Sequence, residues 1–284
     1  MVAEYQKDVV AFLKRELAVG AAGASAPECV ETHISRVFLS GDLAFKLKRP
    51  VKLPYLDFTT PELRLAACRH ELELNRRTAP KLYQRVRAIT QAGNGALEWD
   101  GDGQLADAVV EMSRFGQDAL FDKMAIEHRL TPAIMTGLAH VIARFHASAE
   151  PKADVDAVAL MGDVLDINDR SLRRTGLVSD ADAGACAQSF RQALETHASL
   201  LAARGTSGKI RLCHGDLHLR NICLIDGEPV LFDCIEFNDG LATVDVLYDL
   251  AFLLMDLWHR DLRDLANLVL NRYLDEAGEA AGWV

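Results

Sequence analysis

The sequence predicts an α+β fold in two lobes, and three observations along its 284 residues point there. Short β-like runs dominate residues 30–112, with a single helical pattern among them. Helical spacing takes over from Thr131-Pro132 onward. Near residue 210 short apolar runs return, two of them joined by a turn sequence, before helices finish the chain. Half of the residues are apolar and a quarter charged, a balance that supports a sizeable buried core.

Taken in order, Tyr5, Val9, Val10, Phe12, Leu13 and Leu17 recur at helical spacing, and that first helix ends near Gly20. After the small-residue stretch 20–27 come the runs Val30–Ile34, Val37–Leu39 and Leu43–Leu47, the last two joined by Ser40-Gly41-Asp42. Thr60-Pro61-Glu62 starts a helix, Thr as N-cap and Pro at the first helical position, that reaches about Arg77. Strand-like pieces follow at Val86–Thr90, Leu97–Trp99 and Ala108–Met112. Ile134, Leu138, Val141, Ile142 and Phe145 line one helical face, a polar helical insertion follows residue 150, and a long helix covers 186–203. Ile210–Cys213, Ile222–Ile225 and Val230–Cys234 are short strands, the last two hinged on Asp226-Gly227-Glu228-Pro229. The predicted lobes are residues 1–111 and 112–284.

Charge divides along the same line. Residues 31–90 hold 12 Lys/Arg against 6 Asp/Glu, whereas residues 91–284 hold 16 against 31. A basic first lobe suits a polyanion such as a nucleotide, and an acidic second lobe suits a cationic or metal-bound partner. The basic residues form no extended stripe, so nucleic acid is not expected as a partner. Val246–Trp258 is interrupted by Asp249 and Asp256, which excludes a membrane span there. Asp8, Lys14, Arg15 and Glu16 occupy the place of a signal peptide's apolar run, so a cytoplasmic location is expected. The six cysteines contain no C-x-x-C pair and are expected to be buried thiols.

The strongest chemical signal is His214-Gly215-Asp216-Leu217-His218-Leu219-Arg220-Asn221, between two predicted strands, with Asp233 at the end of the following hairpin. Two carboxylates and an amide on adjacent loops suit phosphoryl transfer: one carboxylate takes or orients the proton of the attacking hydroxyl, and the other joins the amide on Mg²⁺.

This string resembles the H-G-D-x-x-x-x-N signature of aminoglycoside phosphotransferase-like kinases, relatives of the protein kinases with their H-R-D-L-x-x-x-N loop. More closely it resembles a bacterial subgroup of uncertain substrate, sometimes fused to a P-loop kinase domain. The resemblance implies a protein-kinase-like fold with a small β-rich N-lobe and a mainly helical C-lobe. It also implies ATP and Mg²⁺ as cofactors, Asp216 as catalytic base, and Asn221 and Asp233 as metal ligands. His214 and Asp249, the latter in Asp249-Leu250-Ala251, would brace the loop from behind, and His218 would orient it or touch the γ-phosphate. Ala44-Phe45-Lys46-Leu47 resembles the V-A-I-K strand, making Lys46 the phosphate lysine and Glu71 its helical partner. Lys48 shares the strand face of Lys46 but begins the polar stretch Lys48-Arg49-Pro50, and Glu73 shares the helix of Glu71, so these remain alternatives. Ser35–Asp42 would be the loop covering the phosphates, without a G-x-G-x-x-G motif. The backbone of Glu111 and Met112 would read adenine. His146 is expected to pack in the core.

The expected activity is therefore transfer of the ATP γ-phosphate to a hydroxyl of a small molecule. An aminoglycoside, an amino sugar or another alcohol fits, with the acidic second lobe favouring a cation. Asp163, Asp166, Asn168 and Asp169 lie in the insertion where this family builds its acceptor site. A non-catalytic nucleotide-binding regulator and a protein Ser/Thr kinase are the alternatives. The missing D-F-G glycine after Asp233 and the lack of an A-P-E segment weigh against the second. The resemblance also leads one to expect further helices beyond Gly282-Trp283-Val284.

Overall fold

The computed structural model describes residues 2–19, 27–53, 55–152 and 154–279, with the side chains of residues 2–5 and 19 outside that description. Residues 20–26 of the expected small-residue stretch 20–27, the side chain of Tyr5 and the tail at 282–284 lie outside the described residues.

The first part of the chain forms α1 (Val2–Val19), β1 (Glu28–Glu31), β2 (Ser35–Ser40), β3 (Leu43–Lys48), the small hairpin β4 (Lys52–Leu53) and β5 (Leu56–Asp57), α2 (Pro61–Asn75), β6 (Tyr83–Gln91), β7 (Leu97–Trp99) and β8 (Gln104–Ser113). Six of these strands make one antiparallel sheet in the order β1-β2-β3-β8-β6-β7. Strand alternation gives the sheet two apolar faces. Phe38, Phe45, Leu47, Ile89 and Val109 point to one side, where Val9, Phe12, Leu13 and Leu17 of α1 cover them. Ala44, Ala108 and Val110 point to the other, against Cys68 of α2. Each large side chain fully buried here contributes roughly 1.5–3 kcal/mol. Thr60 caps α2, its hydroxyl accepting from the Leu63 amide at 3.3 Å, with Pro61 at the first helical position as expected.

The sequence reading differs from the structure around β2. Ser35–Asp42 is not a loop: it is β2 followed by the Gly41-Asp42 turn, where Gly41 takes φ +56. The open turn between the first two strands is instead Thr32–Ile34, stabilised by the Ser35 amide donating to Thr32 Oγ1 at 3.0 Å. A sequence run of branched residues from Val30 to Ile34 hid it.

The remainder of the chain forms α3 (Phe121–Ile126), α4 (Pro132–Ser148), α5 (Ala157–Thr175), α6 (Asp180–Thr206), β9 (Ile210–Leu212), β10 (Ile222–Ile225), β11 (Glu228–Leu231), α7 (Asp239–Ala242), β12 (Thr243–Asp245), α8 (Val246–His259) and α9 (Arg263–Ala277). α4, α8 and α9 enclose the second core, with Met135, Leu138, Ile142, Leu253, Leu257 and Val269 all buried. Leu217, Leu219, Ile222 and Leu231 belong to the same core, so the segment between β9 and β10 is anchored from beneath by apolar side chains. β10 and β11 pair through a turn at Asp226 and Gly227, both at positive φ, as a tight hairpin requires. α5 and α6 form an antiparallel hairpin whose only buried residues are Ala157, Ala183, Arg204 and Gly205. Cys68, Cys213, Cys223 and Cys234 are buried as expected, but Cys29, on the edge strand β1, and Cys186, on the open groove between α5 and α6, are exposed. No helix among the described residues is long and apolar enough to cross a membrane.

Candidate active site

Alternation along β3 puts Lys46 and Lys48 on the face that meets α2. Lys46 Nζ lies 2.7 Å from Glu71 Oε1 and 2.5 Å from Asp233 Oδ1, so one ammonium joins the sheet, the helix and the loop after β11. Burial works against its charge, but Asp233 and Glu71 outweigh that and hold its pKa above the ordinary lysine value. Glu71 is wholly buried whereas Glu73 is exposed, which separates the two glutamates as their helical spacing requires. Lys48 does not begin a solvated stretch: it is wholly buried, 2.6 Å from Glu71 Oε2 and paired with Glu236.

Asp233 is the second non-apolar landmark. Its backbone sits at φ +62, a conformation that costs a non-glycine residue energy and persists only where neighbours impose it. Those neighbours are visible. The Asp233 amide donates to Tyr83 Oη at 3.2 Å and the Cys234 amide to Asn75 Oδ1 at 2.9 Å. Burial raises the Asp233 carboxyl, but Lys46 outweighs it, so the group stays below its usual range and ionised.

The loop 213–221 is held from below by one helix. Asp249 Oδ1 accepts from the Gly215 amide at 2.8 Å, and Oδ2 accepts from the His214 amide at 3.2 Å. His146 Nε2 lies 3.0 Å from the same Oδ2, and its Nδ1 lies 2.9 Å from Tyr273 Oη. His146 is thus buried, as expected, but it also carries a polar relay from α9 to the loop. Two turns further along α8, Asp256 Oδ2 accepts from the Leu219 amide at 3.0 Å. His214 Nε2 donates to the Phe232 carbonyl at 2.9 Å, tying this loop to the hairpin that delivers Asp233. Gly215 is needed at its φ of +81: an added Cβ would meet Ala242 and Ile235 at 3.1 Å.

With the backbone held, Asp216 presents a half-buried carboxylate. Asn221 Nδ2 donates to its Oδ2 at 3.0 Å and to its carbonyl at 2.9 Å, and His218 Nε2 lies 3.4 Å from Oδ1. The amide nitrogen of Asn221 being spent in this way, its carbonyl oxygen faces the other direction. Asp233 carboxylate and Asn221 carbonyl are oxygen donors of the kind a hard divalent cation takes, so the donor set fits Mg²⁺.

Glu111 and Met112 lie inside the sheet. Glu111 is in register with Phe45 on one side and Arg85 on the other, and Met112 with Ala44 and Tyr83. The Glu111 carboxylate is taken by Arg85, at 3.0 and 3.2 Å. The strand leaves the sheet only after Ser113, and the amides of Ser113 and Arg114 donate to the carbonyls of Leu82 and Asp42 at 2.8 and 2.7 Å. In the α5–α6 hairpin, Asp166 pairs with Arg191 and Asp169 with Arg173, while Asp163 and Asn168 are exposed. Sequence reasoning missed Asn75, Asp256 and Glu236. Asn75 follows Glu71 by four residues and Asp256 follows Asp249 by seven, so helical periodicity carried both signals. Glu236 lies in a loop, where no periodicity applies.

Comparison with known proteins agrees with this architecture. Uncharacterized proteins of Mycobacterium tuberculosis and Mycobacterium bovis are 33% identical over 256 residues. The match covers 88% of this chain and 50% of theirs, so the chain spans about half the length of these curated relatives. Among solved structures, a choline/ethanolamine kinase family protein from Mesorhizobium loti aligns with a TM-score of 0.50 at 14% identity, covering 95% of this chain and 76% of that one. The ternary complex of APH(2")-IIa with streptomycin and ATP aligns at 0.47 and 16% identity, covering 95% and 84%. The likeness to the Mesorhizobium loti protein shows that the small sheet lobe and helical lobe are those of the kinase-like fold. A model of the phosphotransferase enzyme family, APH, matches residues 47–283, which takes in every site residue discussed above except Lys46, and the chain belongs to that family.

Proposed function

We propose that the chain transfers the γ-phosphate of Mg²⁺-ATP to a hydroxyl group of a small molecule. The observation that carries this reading is the continuous polar path Glu71–Lys46–Asp233, joined through the His214–Phe232 bond to the loop bearing Asp216 and Asn221. Lys46 would bind the α- and β-phosphates, held in place by Glu71. Asp233 and Asn221 would hold Mg²⁺, which when bound neutralises charge on the phosphates. Asp216 would orient the acceptor hydroxyl and receive its proton as that oxygen bonds to the γ-phosphorus. The bond from phosphorus to the β–γ bridging oxygen breaks, and ADP leaves. Asn221 and His218 fix the Asp216 carboxylate, so no side-chain rearrangement is required of it. The acidic composition of residues 91–284 supports a cationic acceptor, an amino sugar or aminoglycoside among them.

Calorimetry of ATP with and without Mg²⁺ tests the site. Mg²⁺-dependent binding is expected, with the dependence lost in Asp233→Asn. Asp216→Asn should bind ATP normally yet lose transfer by roughly 10²–10⁴, the usual share of a general base. Undiminished turnover in that variant would remove Asp216 from the reaction, and phosphate appearing only on added protein would turn the assignment to a protein kinase.

A further inference from the structure

Lys48 has no role in the reaction as proposed, yet it is the better buried of the two lysines on β3, with none of its side chain exposed. It cannot reach a ligand in the cleft. Its ammonium instead lies between Glu71 Oε2, at 2.6 Å, and Glu236, and over the Phe58 ring at 5.6 Å. The two oxygens of Glu71 are thereby divided: Oε1 faces Lys46 and Oε2 faces Lys48. Glu236 follows Asp233 by three residues and is itself buried. Its carbonyl accepts from His70 Nδ1 at 2.8 Å, and the Cys234 amide is fixed on Asn75. The short segment that sets the strained backbone of Asp233 is thus pinned to α2 twice and to β3 once. On the other side, the Lys48 carbonyl accepts from Gln6 Nε2 at 2.8 Å, so α1 steadies the strand from behind.

We infer that Lys48 and Glu236 form a bolt between the lobes that sets Lys46 and Asp233 in register. Both are positioning residues. Lys48 orients Lys46 through the shared Glu71, and it holds the Asp233 loop through Glu236. One buried cation therefore determines the phosphate lysine and the metal carboxylate together. The inference rests on the proposed Mg²⁺-ATP site and concerns how that site is built.

The test uses the full chain and measures ATP affinity by calorimetry, once in EDTA and once in Mg²⁺. Removing Lys48 alone leaves Glu236 buried without its partner, so the informative variant is the double substitution Lys48→Met with Glu236→Met, checked for folding by its thermal melt. Affinity for ATP in EDTA reports Lys46, which keeps its charge but loses part of its orientation, and should fall by about threefold, less than in Lys46→Met. The gain on adding Mg²⁺ reports the register of Asp233 and should fall by about tenfold or more, within the usual range of coupling between sites. Glu236→Gln, which keeps an oxygen for Lys48, should retain part of that gain. A purely structural pair would leave the Mg²⁺ gain untouched in the folded double variant, and that result overturns the inference. Loss of metal-free ATP affinity in the double variant, with its retention in Lys46→Met, would also overturn it by making Lys48 the phosphate lysine. A wild-type chain that binds no ATP in Mg²⁺ would sink the underlying phosphotransfer reading as well.

Discussion

Asp216 and His218 face each other at 3.4 Å, and each alters the other's ionisation. Burial opposes charge on both, but His218 holds the Asp216 carboxyl below its ordinary value, and Asp216 lifts His218 above its own. A depressed carboxyl stabilises the fold above its unfolded pKa and loses that contribution as pH falls through the folded one. A raised imidazole stabilises below its unfolded pKa and loses the contribution as pH rises through the folded one. The pair therefore counts most between about pH 4 and 6.5. Asp216 is 44% exposed and His218 29%, so water screens the gain and stability changes little. The rate is the better readout. With Asp216 as proton acceptor, His218→Gln removes the cation that keeps it ionised, and the acid limb of the pH–rate profile should move to higher pH. An unmoved limb would separate His218 from the ionisation of Asp216.

At the scale of elements, α8 is the support on which the reaction loop rests. Asp249 and Asp256, two turns apart on its buried side, hold the loop at His214, Gly215 and Leu219. Asp249 is wholly buried, and burial alone would raise its pKa, but His146 and the loop amides keep it low. Asp249→Ala would leave His146 and two amides without their acceptor inside the core. A loss of about 3 kcal/mol or more is expected in urea unfolding at neutral pH, the usual cost of breaking a buried pair. Asp256 is less buried and pairs with Arg260 on its own helix at 2.8 Å, so Asp256→Ala should cost less than half as much. Equal costs would show that burial of the carboxylate is not what sets the penalty. Asn75, one turn below Glu71, adds a second support, because it fixes the Cys234 amide while its own Nδ2 donates to the Glu71 carbonyl.

Over the whole molecule, the two lobes meet through α2 and β3, with Val230 and Phe232 packed against the core of the first lobe. Arg77 donates to the Leu212 carbonyl at 2.8 Å and to the Cys213 carbonyl at 3.3 Å, so the end of this one helix reaches the start of the reaction loop. Phe115 meets Phe232 edge-on at 5.4 Å where the chain passes from one lobe to the other. The α5–α6 hairpin stands apart from this framework: its exposed Ile167 and Phe190 contrast with the buried faces of α4 and α9. Local opening should therefore be cheapest there. Hydrogen exchange is expected to label 160–200 well before 135–146 and 266–274. Comparable protection in both regions would mean that the hairpin is covered in solution.

Much of this was legible in the chain itself. Thr60-Pro61 announced the start of α2, Asp226-Gly227 the tight hairpin, and His214–Asn221 the loop whose carboxylate and amide now lie together. These signals are local: a cap, a turn and a short motif depend on residues a few positions apart, and backbone sterics translate them directly into shape. Other features depended on what the fold brings opposite. Lys48 looked like the first residue of a polar edge, and only the approach of α2 and the 234–236 segment turned it into the most buried lysine on the strand. Glu111 and Met112 resembled the end of a hinge strand that reads adenine, and only the fold showed β3 and β6 paired on both sides of them. Sequence determined which residues could carry charge, turn the chain or face a common side, because those properties belong to the residue and its near neighbours. Tertiary structure alone decided which charges meet, because a buried ion pair is selected by partners some 190 residues away and stabilised only where water is excluded from both.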